Sequence, residues 1–107
     1  MPQVIDVTDE TFDTEVTQAN TPVAAEFYTQ FCPTCKRVTP IFEQLSDEYS
    51  GRVEFVKVDV AKAAETARRL VVLASPSIVI LKRSQEVDRI AGYADRAKLL
   101  SLIEAAL

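Results

Sequence analysis

The sequence predicts an α/β domain: a mixed central sheet of about five strands flanked by about four helices. Three observations carry that expectation. Apolar periodicity alternates between strand-like and helix-like stretches along the chain. VAAEFY (23–28) is a nearly continuous apolar run, as in a strand covered on both faces of a largely parallel sheet. The last two strand-like runs lie close enough in sequence to form an antiparallel hairpin.

Val4 to Val7 is a short β-prone run. Thr8 or Asp9 is placed to cap a helix with an acidic first turn, ending by Asn20 ahead of Pro22. Val23 to Tyr28 is the next strand, interrupted by Glu26. From Pro33 the period changes: Val38, Ile41, Phe42, Leu45 and Tyr49 share one helical face, and the helix closes at Ser50-Gly51. Pro40, inside it, removes a backbone donor and predicts a kink. Val53 to Val58 reads as a strand, Ala61 to Leu70 as a helix, and Ser77 to Leu81 and Val87 to Ala91 as two strands. Asp95 opens a final helix whose apolar side carries Leu99, Leu100, Leu102, Ile103 and Ala106. The hairpin segment KRSQE lacks an Asn-Gly pair, which predicts another turn geometry or a longer loop.

With 107 residues, 48% hydrophobic and 26% charged, the chain holds apolar material for one core, so residues 1–107 are read as a single domain. A net charge of -4 with no run of Lys or Arg lacks the basic footprint that nucleic acid or an anionic membrane requires. No basic-then-apolar leader opens the sequence, and no segment approaches the roughly 18 uninterrupted apolar residues of a membrane span. A soluble, cytoplasmic monomer is the expectation.

FCPTCK (31–36) contains both cysteines of the chain, which has no histidine. A structural zinc needs about four Cys or His ligands, so one chain cannot complete an all-protein zinc or iron–sulfur site. Two chains pooling cysteines around a cluster is the metal reading that stays open. A purely structural disulfide would close so small a loop that it restricts little chain entropy, and a reducing cytosol would keep it open. A working dithiol fits the placement. Cys32 follows a buried strand and precedes a helix, so its sulfur faces unpaired N–H groups and the positive end of the helix dipole, which favours the thiolate. Cys35 lies about one turn further on and is expected to be more buried. The first can attack and the second can resolve.

Several separate stretches together resemble the thioredoxin family over essentially the whole chain: VTDETFDTEV, VAAEFYTQFCPTCKRVTPIFEQL, EFVKVDV, and ASPSIVIL followed by Gly92. The resemblance implies a thioredoxin fold and a protein-disulfide oxidoreductase working mainly as a reductant. It makes Cys32 the nucleophile and Cys35 the resolving thiol, with no bound cofactor or metal needed for exchange. It implies a cis peptide bond at Pro76, with Ser75, next to Ala74, offering its backbone to an extended client segment. Gly92 is implied to line the same groove, where a missing side chain lets client backbone approach. Phe31, Pro33, Thr34 and Tyr93 complete the implied substrate-binding set. Glu26 stands where the family carries a buried Asp, which implies a carboxyl raised in pKa by burial that takes the proton from Cys35. Lys57 is implied beside it as a moderator of that pKa. The implied partners are client proteins with disulfides and a flavoprotein disulfide reductase as electron donor.

The chain departs from the family pattern at several positions. Pro33-Thr34 replaces the common Gly-Pro pair, Phe31 replaces a tryptophan, and Tyr28 sits at another position often aromatic. Pro33 suits the first helical turn, and Thr34 brings a hydroxyl placed to donate to the Cys32 sulfur. Because ~30 mV of two-electron potential corresponds to ~1.4 kcal/mol, the altered pair predicts a changed redox poise. The VVLA loop (71–74) before Ser75-Pro76 is more apolar than usual, with Leu73 where a charge is common, and Tyr93 is bulkier. Buried, they pack on the body of the protein; exposed, they alter which reductase or client docks. Two rival functions stay open. One is a glutathione-linked, glutaredoxin-like reductant, suggested by the Pro directly after the first cysteine. The other is a redox-inert binding module that uses the groove near Pro76.

Overall fold

The computed structural model describes residues 3–107, and positions 1 and 2 of the expected domain lie outside them. Strands β1 (Val4–Val7), β2 (Val23–Tyr28), β3 (Glu54–Asp59), β4 (Ser77–Lys82) and β5 (Gln85–Ala91) form one sheet in the order β1-β3-β2-β4-β5. The first three are mutually parallel; β4 runs antiparallel to β2 and β5 antiparallel to β4. Helices α1 (Pro33–Glu48), α2 (Ala64–Arg69) and α3 (Arg96–Ala106), with a π-helical turn at Asp13–Thr17, supply the flanking layers.

The two-residue period of the strands sorts side chains onto two apolar faces. Ala24, Phe55, Ile78 and Ile80 pack against Val38, Phe42 and Leu45 of α1 and Leu99 and Ile103 of α3. Val23, Ala25, Phe27, Val56, Val58, Val79 and Leu81 pack against Phe12, Val16, Ala63 and Ala67 on the opposite side. Phe42 meets Phe55 edge-on, with ring centroids 5.1 Å apart. Glu26 is in phase with Ala24, and Lys57 with Phe55, so both belong to the face that α1 covers. They are also register partners in adjacent strands.

Three local expectations are corrected. The first helix is not capped by Thr8 or Asp9, and only the π-helical turn forms before Asn20. The reason is that Asp9 is engaged elsewhere: its carboxylate accepts from the Thr66 amide at 2.8 Å, the Thr66 hydroxyl at 2.7 Å and the Glu65 amide at 3.3 Å. It thereby satisfies free donors of α2, whose own boundary residue Ala63 makes no side-chain cap. The helix expected from Ala61 begins at Ala64, because Asp59 draws in the amides of Ala61, Lys62 and Ala63, each at 2.9 Å. The β4–β5 hairpin needs no longer loop. Lys82 pairs with Gln85 across Arg83 and Ser84, whose φ angles are +53° and +63°. Positive φ at both central residues matches the twist of the strands, which imposes it even without Asn-Gly.

Candidate active site

Phe27, Ser77 and Ala91 lie side by side across β2, β4 and β5. Beyond that row the chain leaves β2 towards Cys32, enters β4 through the Val71–Pro76 loop, and leaves β5 at Gly92-Tyr93. Segments far apart in sequence therefore meet at one sheet edge. The Ser75-Pro76 peptide bond is cis. The Pro76 carbonyl accepts from the Gly92 amide at 2.7 Å, and the Ser77 hydroxyl donates to the Ala74 carbonyl at 2.7 Å, which fixes the loop's path. Gly92 has φ +87°, and a Cβ there would meet nothing within 4 Å. The left-handed backbone demands the glycine, and the space beside it is open.

Cys32 and Cys35 form a disulfide, with Cα atoms 5.2 Å apart. Cys32 is the N-cap of α1 with extended backbone, φ -123°, and Pro33 fills the first helical position. The Cys32 sulfur accepts from the Cys35 amide at 3.0 Å, doing for the helix what a Ser or Asp oxygen usually does. Cys35 shares a helical face with Val38 and Phe42 and so turns into the core. Both cysteines are buried, Cys35 at 3% exposed and Cys32 at 7%. Thr34, half-buried, is not the hydroxyl bonded to that sulfur; the Ser75 hydroxyl, arriving from the neighbouring loop, stands 3.8 Å from it.

Glu26 is fully buried in β2. One carboxyl oxygen accepts from the Thr39 hydroxyl at 2.7 Å, and the other has no hydrogen-bond partner among the described residues. Burial pushes its pKa up to about 7; the Thr39 hydrogen bond and the Lys57 charge pull the other way, and Glu43 adds a smaller upward push. The Lys57 ammonium stands 4.0 Å from Glu43 and 5.4 Å from the centre of the Tyr28 ring. A cleft of about 320 Å³, lined by Tyr28, Cys35, Thr39 and Lys57 among others, joins solvent to the inner cysteine and to the hydroxyl that holds Glu26.

Apolar side chains surround this edge. Phe31 is 95% exposed, Leu73 90% and Val71 60%, while Pro33 and Ala74 are exposed as well. Tyr93 is 44% exposed, and the Arg37 guanidinium of α1 stacks on its ring at 4.5 Å. Val71, Leu73, Ala74 and Tyr93 thus take the exposed course, while Val72 packs against the body of the protein. Val71 has φ +54°, and Arg89 braces this turn by donating to the Leu70 carbonyl at 2.6 Å and the Val71 carbonyl at 3.0 Å while paired with Glu86. Sequence reasoning passed over Thr39, Arg89 and the Ser75 hydroxyl. Thr39 alone carried a signal: a polar residue one turn after Cys35, on a helix lying over a strand that holds a buried acid.

The family model described as Thioredoxin matches residues 3–105. Over 101 residues, 94% of each chain, the sequence is 37% identical to Thioredoxin C-2 of Corynebacterium nephridii. The chain belongs to the thioredoxin family. The thioredoxin of Malassezia sympodialis has a similar structure, with a TM-score of 0.89 at 30% identity, covering 99% of this chain and 92% of that one. The bifunctional thioredoxin reductase/thioredoxin of Mycobacterium leprae is 34% identical over 96 residues, which are 90% of this chain and 21% of that protein. Family membership and the Cys32–Cys35 disulfide make the protein a thiol–disulfide oxidoreductase that reduces client disulfides by dithiol–disulfide exchange.

Proposed function

We propose that Cys32 is the attacking sulfur, Cys35 the resolving one, and Glu26 the group that moves the proton between steps. In the reduced protein the Cys32 thiolate attacks a client disulfide in line. The client S–S bond breaks as the Cys32–client bond forms, and the departing client sulfur leaves with the electron pair and takes up a proton. Cys35 then gives its proton to the Glu26 carboxylate, directly or through water in the cleft, and attacks the Cys32 sulfur. The mixed disulfide breaks, the second client sulfur leaves with the electron pair and takes up a proton, so the client is released as a dithiol and the protein is left with its own disulfide. The observation that carries this reading is the N-cap seat of Cys32: a sulfur that already receives a backbone N–H at 3.0 Å is positioned for the same bond as an anion.

Lys57 sets the level at which Glu26 ionises. Phe31, Leu73 and Tyr93 offer apolar contact to a client held along the Ala74–Pro76 backbone and beside Gly92, with Pro33 and Thr34 at the helix start. A flavoprotein disulfide reductase would restore the dithiol, a reading supported by the Mycobacterium leprae relative, whose name joins a thioredoxin reductase to a thioredoxin. The protein would work as a monomer in the cytoplasm; among the described residues no helix is long and apolar enough to cross a membrane.

Insulin-disulfide reduction, driven in parallel by dithiothreitol, by glutathione, and by a flavoprotein reductase with NADPH, tests the reading. Turnover with the reductase and its loss in Cys32→Ser are expected. Turnover with glutathione alone would favour the glutaredoxin-like alternative. A harmless Cys32→Ser, with partner binding lost on changing Leu73 or Tyr93, would point to the binding module.

A further inference from the structure

We infer that the Ser75 side chain is a second hydrogen-bond donor to the Cys32 sulfur and a determinant of how readily that sulfur ionises. The inference rests on the reading that Cys32 is the attacking thiolate, and it concerns the hydroxyl of Ser75, separate from the backbone that would hold a client. Ser75 Oγ stands 3.8 Å from Cys32 Sγ, and among the described residues this is the hydroxyl's one hydrogen bond. The nearby Ser77 hydroxyl is committed to the Ala74 carbonyl, so it neither competes for Ser75 nor substitutes for it.

The Ser75 hydroxyl is half-buried, and among the described residues the Cys32 sulfur is the acceptor within its reach. In the disulfide its acceptor is a neutral sulfur, and the contact is long. Two-electron reduction by a dithiol breaks the S–S bond and leaves a thiolate on Cys32 and, after uptake of one proton, a thiol on Cys35. The Cys32 sulfur then carries a full charge beside a donor already aimed at it, and a hydrogen bond to a charged acceptor is shorter and roughly twice as strong as a neutral one. The Cys35 amide supplies the first such bond from the helix and Ser75 the second from the loop, so the anion is held from two sides. Among the ionisable groups on the neighbouring elements, Lys36 and Arg37 of α1, Glu26 and Tyr28 of β2, Lys57 and Asp59 of β3, and Tyr93 after β5 are all unchanged in the variants below.

The test uses the reduced full chain and four proteins: wild type, Ser75→Ala, Ser75→Thr and Ser75→Val. Thr keeps the hydroxyl, and Val copies its shape without it. Alkylation of Cys32 by iodoacetamide across a pH series reads the thiol pKa, and equilibration with a dithiothreitol buffer reads the potential. Ala and Val should raise the Cys32 pKa by about one unit, an about tenfold loss of thiolate below that pKa. They should also lower the potential by ~30 mV, because the lost bond favoured the reduced form. Thr should stay near wild type. If Ala does not fold, the Thr and Val pair decides the question alone. Equal pKa and potential in Thr and Val would overturn the role of Ser75 and leave Cys32 as nucleophile untouched. A wild-type Cys32 that titrates like a free thiol would instead overturn the underlying reading and this inference with it.

Discussion

Replacing Glu26 with Gln should remove a pH dependence of stability that the wild-type chain owes to one buried carboxyl. In the folded protein burial lifts this group from the ordinary 4.5 to about 7. In the unfolded chain it returns to the ordinary value. Between those two pH values the folded state keeps a proton that the unfolded state has released, so stability falls as pH rises through the interval. Below about 4.5 both states are protonated and no penalty exists; above about 7 both are ionised and the penalty is complete. The interval spans roughly two and a half pH units, and at ~1.4 kcal/mol per unit the cost is about 3 kcal/mol, most of it between about pH 5 and pH 8. A change of that size moves a thermal midpoint by more than ~10 °C in a chain of this length. Urea unfolding of the oxidised wild type and Glu26→Gln at both pH values gives the difference of differences, in which the other carboxylates cancel. Between about pH 5 and pH 8 the wild type should lose about 2.5 kcal/mol more than the variant. An equal loss in the two proteins would refute the reasoning.

Lys57→Met should move the Glu26 titration above about 7, because the lysine is one of the two groups that lower it; carboxyl NMR of Glu26 across pH reads the shift. Asp9→Ala should lower the urea midpoint at neutral pH by freeing the Thr66 and Glu65 donors. Since those bonds hold the Asp9 carboxyl below its ordinary 3.8, the wild-type advantage should vanish as pH falls through the titration of Asp9, and a pH series of unfolding curves on both proteins shows this. Phe31→Ser and Leu73→Ser should leave the unfolding midpoint unchanged, since both side chains are nearly fully exposed, and should raise KM for a protein client severalfold; an unaltered KM would remove the apolar rim from client recognition.

The central strands of the fold were legible because β2, β3 and β4 are buried on both faces and carry dense apolar runs, and α1 was legible because its helical period is unbroken from Val38 to Tyr49. What stayed hidden was decided by contacts between distant residues. Asp9 has the look of a cap for its own segment, yet it serves α2, 57 positions from it in the case of Thr66. No local rule names that partner. Arg83 and Ser84 take left-handed angles because two strands must pair, a demand made by the sheet and absent from the dipeptide. At the site, the roles of the two thiols were argued from their place between strand and helix, while the rise in the Glu26 pKa was implied only by the family resemblance, since a lone Glu in an apolar strand does not say whether it is buried. The donor to the Cys32 sulfur was not legible: Thr34 is two residues from it in sequence, while Ser75 reaches it from 43 residues away because β2 and β4 are neighbours.

The division of labour between the two sulfurs is most directly tested by trapping. Cys35→Ser, reduced and mixed with a disulfide-bearing client, should accumulate a covalent adduct that mass spectrometry locates at Cys32 and that dithiothreitol releases, while Cys32→Ser accumulates none. An adduct on Cys35 in Cys32→Ser, or no adduct in either variant while the wild type still turns over, would contradict the account.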